Sequence, residues 1–186
     1  MLVTPARRDV EINLGISMHI RRLTPEDAAL FQAFRLAALK NAPTAFGSSY
    51  EEEVEFPASV IEGRLAVKPD RGPFGAFHGD ELVGLVALGR ENHTKLSHKA
   101  LVWGMYVKPE HRGSGVAKAL LLEALSFARS VPGISQVNLC VNAENAGAVR
   151  LYESVGFKAF GREPHAMKIE GVFYDELHMS LQFGNS

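Results

Sequence analysis

His19-Ile20-Arg21-Arg22-Leu23 interleaves apolar Ile20 and Leu23 with polar His19, Arg21 and Arg22, as in a first, half-buried strand. Thr24-Pro25-Glu26-Asp27 follows with a capping side chain, a proline at the first helical position and acid in the first turn. The apolar spacing beyond it predicts a helix to about residue 40 that buries Leu30, Phe31, Phe34 and Ala38, and Asn41-Ala42-Pro43 ends it. Ser48 and Ser49 are positioned to cap a second helix that opens on Glu51, Glu52 and Glu53 and runs to near Leu65. Residues 74–77 and 82–90 read as strands flanking the hairpin signal His78-Gly79-Asp80-Glu81, and 99–107 as the next strand. A helix over 114–129 puts Val116, Leu120, Ala124 and Phe127 on one face. Residues 136–141 form a short strand, 145–155 a helix closed by Gly156, and 157–161 and 172–181 the last two strands. The order is strand, helix, helix, three strands, helix, strand, helix, two strands, an α/β (α+β) layer fold.

Length fits one domain with one core. A formal net charge of −1 argues against broad electrostatic attraction to nucleic acid or an anionic membrane, so neither is expected as a partner. The lone cysteine, Cys140, excludes an internal disulfide and favours a reducing, cytoplasmic setting. No apolar run approaches the roughly 20 residues of a membrane span. Residues 1–17 lack an apolar signal region and are expected to be a loosely ordered extension, with the domain over 18–182 and Met18 opening its first strand.

The chemistry concentrates where a strand passes into a helix, at Val107-Lys108-Pro109-Glu110-His111-Arg112-Gly113-Ser114-Gly115-Val116-Ala117. Two glycines at a helix start permit positive φ and close approach of a ligand. The first N–H groups of a helix lack internal partners and lie at its positive end, which suits a diphosphate; Arg112 adds charge. The P-loop pattern fails because Gly115 is not followed by Lys and Ser or Thr. The dinucleotide pattern fails at Lys118, where its third glycine belongs.

The segment does match R-x-x-G-x-A through Arg112, Gly115 and Ala117, led in by Val107, Pro109 and Gly113. In this the sequence resembles the GNAT superfamily of N-acetyltransferases. Asn145, Ala148, Leu151, Tyr152, Gly156 and Phe157 resemble the family's second cofactor segment, N-x-x-A-x-x-L-Y-x-x-x-G-F. The resemblance implies a single domain with a mixed, mostly antiparallel sheet of about seven strands, helices on both faces, and a splay between the fourth and fifth strands. It implies acetyl-CoA as co-substrate, no metal, and an amine acceptor, in a monomer or homodimer. The implied cofactor-binding residues are Met105, Tyr106, Val107, Arg112, Gly113, Ser114, Gly115, Val116, Ala117, Asn145, Ala148 and Tyr152. The pantetheine arm would pair with the strand ending at Val107, and Asn145 would hold the arm or the diphosphate from the other side.

By the same resemblance Tyr152 is the catalytic residue, giving a proton or hydrogen bond to the departing CoA sulfur after direct attack by the amine in a ternary complex. Read on spacing alone, Tyr152 shares a helical face with Ala148, Leu151 and Val155 and reads first as a core aromatic with its hydroxyl at the rim. Deprotonating an alkyl amine of pKa near 10 at pH 7 costs roughly 4 kcal/mol, so a base or ordered water must assist. Glu51, Glu52 and Glu53 are candidates, although acid at a helix start is also expected from the helix dipole alone. Cys140 reads as a small buried residue rather than a nucleophile, having no histidine near it in sequence. His93 and His98 lack metal-ligand spacing. The alternative function is an acyl-CoA sensor of the same fold without turnover.

Overall fold

The computed structural model describes residues 8–12 and 16–184. Its strands are β1 (Arg8–Ile12), β2 (Ile16–Arg22), β3 (Arg71–His78), β4 (Glu81–Arg90), β5 (Lys99–Val107), β6 (Gln136–Asn142), β7 (Lys158–Ile169) and β8 (Val172–Gln182). Its helices are α1 (Ala28–Asn41), α2 (Tyr50–Val54), α3 (Ala58–Leu65), α4 (Val116–Ser130) and α5 (Ala146–Ser154). Among the described residues the strands form one sheet in the order β1-β2-β3-β4-β5-β6-β8-β7. Every pairing is antiparallel except β5 with β6.

Each face of the sheet carries a core. Val83, Val86, Val137, Leu139 and Met179 pack with Leu120, Leu121 and Leu125 of α4 and Tyr152 of α5. Leu82, Leu85, Phe77 and Tyr106 pack on the opposite side with Phe31 and Phe34 of α1 and Ile61 and Leu65 of α3. Each fully buried leucine contributes about 1.5–3 kcal/mol relative to exposure. Helix α4 sits close on β4 because Gly84 has no side chain there: a Cβ would stand 2.8 Å from Leu120 Cδ1 and 3.2 Å from Val116 Cγ1. That approach presses the start of α4 against the end of β5.

The sheet has one strand more than expected. Part of the expected loose extension, Arg8–Ile12, pairs with β2 from Arg8↔Ile20 to Ile12↔Ile16, so β2 opens at Ile16 rather than Met18. The remainder of that extension, residues 1–7 and 13–15, lies outside the described residues. The single helix expected from Glu51 to Leu65 is two, α2 and α3, separated at Pro57. Proline lacks an N–H and disfavours the helical conformation at the residue before it. Leu30, expected in the core, is 38% exposed. The final hairpin is also longer than expected, with β7 continuing to Ile169 and turning through Glu170 (φ 49°) and Gly171 (φ 85°).

Candidate active site

The parallel ladder between β5 and β6 is confined to Lys99↔Gln136, Ala100↔Val137 and Leu101↔Asn138. Beyond it β5 remains bonded to β4 as far as Val107, while β6 remains bonded to β8 as far as Asn142. The two halves of the sheet therefore part. A bulge in β5 accounts for the direction: the register breaks between Leu85 and Ala87, so Val86 faces both Gly104 and Met105, and Gly104 has φ +67°. An extra residue in one strand bends it and increases its twist, here turning the end of β5 away from β6.

Backbone groups facing that gap follow from ladder alternation. Glu91 N–H donates to the Lys99 carbonyl at 3.0 Å, and Lys108 N–H to the Val83 carbonyl at 2.9 Å. Antiparallel partners alternate, so Val102 and Val107 turn their N–H and C=O away from β4 and into the gap. On the other side Ala143 N–H donates to the Asp175 carbonyl at 2.9 Å, which turns the backbone groups of Cys140 away from β8 into the same gap. Arg112 Nε donates to the Val107 carbonyl at 3.0 Å. Unpaired strand edges inside a sheet are an unfilled place for a strand-like ligand.

The start of α4 lies beside this gap. Gly115 caps the helix in the left-handed region at φ +99°, and Gly113 has φ +75°. No side chain caps the first turn, and that turn contains no acidic residue. The Ser114 hydroxyl donates to the His111 carbonyl at 2.6 Å and so is not available as a cap. A Cβ at Gly113 or Gly115 would meet nothing within 4 Å. Open amides, a positive helix end and unobstructed backbone fit an anionic ligand such as a diphosphate. Buried Val116 and half-buried Ala117 anchor the turn to the core. The exposed Arg112 is tied over the Tyr106 ring, 5.4 Å from its centroid.

Tyr152 lines the gap together with Val102, Met105, Ala148 and Leu151. It is 6% exposed, and its ring meets Phe157 edge-on at 6.0 Å. Burial pushes its hydroxyl up to about 12, so the proton stays on oxygen through the neutral range. Helix α5 holds it there, and that helix is closed by Gly156 at φ +101°, with Phe157 N–H returning to the Tyr152 carbonyl at 3.1 Å.

Residues 33–157 match the model of the Acetyltransferase (GNAT) family. The chain belongs to that family. It is 33% identical over 100 residues to spermidine N(1)-acetyltransferase of Vibrio cholerae, covering 54% of this chain and 56% of that one. The chain spans about half the length of the curated relatives it matches. The fold matches an acetyltransferase of the GNAT family from Streptococcus pneumoniae with a TM-score of 0.80 at 24% identity, over 89% of this chain and 99% of that one. It also matches a putative acetyltransferase from Salmonella typhimurium solved with its cofactor acetyl-CoA, with a TM-score of 0.74 at 20% identity, over 91% and 95% of the two chains.

Within this GNAT domain four of the residues singled out in the sequence, Tyr106, Asn145, Glu53 and Glu52, make local contacts. Tyr106 pairs with Leu85 in the bonded register and buries its ring among Phe34 and Phe46, where its hydroxyl accepts from Asn41 Nδ2 at 3.3 Å. Neither its backbone nor its ring reaches the gap. Asn145 is the cap of α5, its Oδ1 accepting from Ala148 N–H at 3.0 Å, so that oxygen is committed locally. Glu53 is 1% exposed and saturated by Arg35 Nη2 at 2.8 Å, Ser48 Oγ at 2.6 Å and Arg64 Nη1 at 2.8 Å. Glu52 closes a capping box with Ser49. The enclosed Glu53 is not free to take a proton from an acceptor; Glu51 and Glu52 are both exposed on the rim of a groove between residues 43–52 and the β7–β8 hairpin.

Cys140 is not the small buried residue expected. It is exposed, lines the gap, and lies with Sγ 3.3 Å from His178 Nδ1, whose Nε2 is 2.9 Å from Glu163 Oε2. Glu176, cross-strand from Asn142, lines the same gap. These groups are invisible to local sequence motifs, because β-ladder register alone brings them together.

Proposed function

We propose that this protein is an acetyl-CoA-dependent N-acetyltransferase that transfers acetyl to a primary amine of a small molecule or peptide. The observation carrying the reading is the parted edge between β5 and β6, with the uncapped start of α4 beside it. Two family observations support it: the Salmonella neighbour was solved with acetyl-CoA, and the Vibrio relative is named for a polyamine acceptor. Bound acetyl-CoA supplies a thioester carbonyl open to attack by an amine.

In this reading the amides of residues 113–117 and Arg112 hold the diphosphate, and Met105 and Val107 present the free edge of β5 to the pantetheine arm. The unpaired Val107 N–H is a hydrogen-bond donor for a carbonyl laid along that edge. Ala148 and Leu151 wall the slot, and Tyr152 presents its protonated hydroxyl there as a donor to the departing sulfur. The amine enters from the face carrying Cys140 and Glu176, along the groove beside Glu51, and attacks directly with both substrates bound. The reading places the protein in the cytoplasm, where its one cysteine stays reduced.

Release of free CoA thiol from acetyl-CoA in the presence of spermidine, a peptide with a free N-terminus or an aminoglycoside tests the proposal. Release above background with at least one amine is expected. Tight acetyl-CoA binding without release on any of them would favour a sensor. Arg112→Ala should raise the apparent acetyl-CoA constant roughly tenfold, the loss of one charge-assisted hydrogen bond. An unchanged constant would put the diphosphate elsewhere.

A further inference from the structure

Cys140, His178 and Glu163 form a line on the acceptor face of the parted sheet, and the direct-transfer mechanism uses none of them. Cys140 and His178 are direct cross-strand partners between β6 and β8. Glu163 comes from β7, two residues beyond Gly161, the partner of His178, and is itself paired with Glu176. The carboxylate only accepts hydrogen bonds, so it fixes the imidazole proton on Nε2 and leaves the lone pair of Nδ1 facing the sulfur at 3.3 Å. A nucleophile, a base within reach of it and a third group orienting the base make the arrangement that activates a thiol. Thiol and carboxylate sit on opposite ring nitrogens, so they do not converge on a point where one ion could bind.

The position of the sulfur is an independent observation. Cys140 lines the same gap as Met105 and Tyr152, where the thioester lies in the functional reading above. We propose that Cys140 is a second acetyl acceptor, taking the group from bound acetyl-CoA when no amine is present, with His178 as its base and Glu163 as the positioning residue. This inference rests on that reading of the gap as the acetyl-CoA site. Cys140 Sγ bonds to the acetyl carbonyl carbon as its proton passes to His178 Nδ1. The bond from that carbon to the CoA sulfur breaks, and His178 returns the proton to the departing sulfur. One thioester replaces another, with no oxidant or reductant needed, and an arriving amine attacks the Cys140 thioester as it would the original. Burial, with Glu176 and Glu163, pushes the Cys140 thiol up, so the sulfur waits protonated and requires its base. The charged and titratable groups facing it are His178 and Glu176 on β8 and Glu163 on β7.

Intact-mass analysis after incubation with acetyl-CoA alone tests the proposal, alongside calorimetric measurement of acetyl-CoA binding. The parent chain should gain one acetyl group that hydroxylamine removes, and Cys140→Ser should gain none. His178→Gln should slow the gain roughly a hundredfold, and Glu163→Gln should slow it less. Without any acetyl-CoA, His178→Gln should also slow alkylation of Cys140 by iodoacetamide at neutral pH. Binding of acetyl-CoA without acetylation of Cys140, or equal rates in parent and His178→Gln, would overturn this inference and leave the functional reading standing. Failure to bind acetyl-CoA would overturn both.

Discussion

Tyr152→Phe is expected to lower turnover roughly a hundredfold while acetyl-CoA affinity stays within about twofold. The ring is the packed part of the residue, 6% exposed and edge-on to Phe157, and phenylalanine preserves it. Tyr152 lines the gap, and its hydroxyl makes no hydrogen bond to the rest of the described residues. Only the hydroxyl, the group that the proposed mechanism sets against the departing sulfur, is deleted. Burial holds that hydroxyl near 12, so moving its proton fully onto a thiolate of pKa ~8.5 would be uphill by roughly 5 kcal/mol. On the proposed mechanism Tyr152 therefore acts by donating a hydrogen bond that strengthens as charge grows on sulfur, not by full proton transfer. The parent and the Phe variant should share the same pH profile below about pH 10, differing in height. Steady-state rates with calorimetric binding check this, and comparable rates would remove Tyr152 from the chemistry.

The second large effect is on stability. Glu53→Gln should cost about 3–5 kcal/mol, lowering the melting temperature by roughly 10 °C. Glu53 joins Arg35 of α1, Ser48 of the following loop and Arg64 of α3, and it is almost fully enclosed. Neutralising it leaves the Arg35 guanidinium, 5% exposed over the Phe46 ring, without its counter-charge. Burial alone would raise the Glu53 carboxyl, but Arg35, Ser48 and Arg64 outweigh it and bring the group from 4.5 to about 2. The folded value is the lower one. Its stabilisation is thus complete above about pH 4.5 and lost as the pH falls toward 2. Urea unfolding at several pH values should show the Gln variant with a flatter dependence than the parent in that window. Equal slopes would deny the Glu53 cluster its role in holding α1, α2 and α3 together.

Features set by local chemistry were readable in the chain. Gly113, Gly115 and Gly156 adopt positive φ at helix ends, as a glycine at a start or stop implies. The parting of the sheet beside Val107 is present where the family resemblance put it. What the chain hid depends on partners distant in sequence. Arg8–Ile12 has too short an alternation to stand out, and it becomes a strand only against β2. Leu30 sits on an apolar helical stripe, yet α1 turns it toward an open groove rather than the sheet. The break at Pro57 was signalled by the proline itself but masked by the acid-rich cap before it. Cys140 lies 38 residues from His178, and His178 lies 15 from Glu163. No periodicity reports such a meeting, because one register step in β8 would turn His178 to the other face.

A crystal structure of the protein with acetyl-CoA measures the central claim most directly. The account predicts the diphosphate on the N–H groups of residues 113–117 and the pantetheine arm bonded along β5 between Val102 and Val107, its thioester beside Tyr152. Acetyl-CoA seated away from the start of α4, or β5 and β6 closed on one another with the ligand outside the sheet, would contradict it.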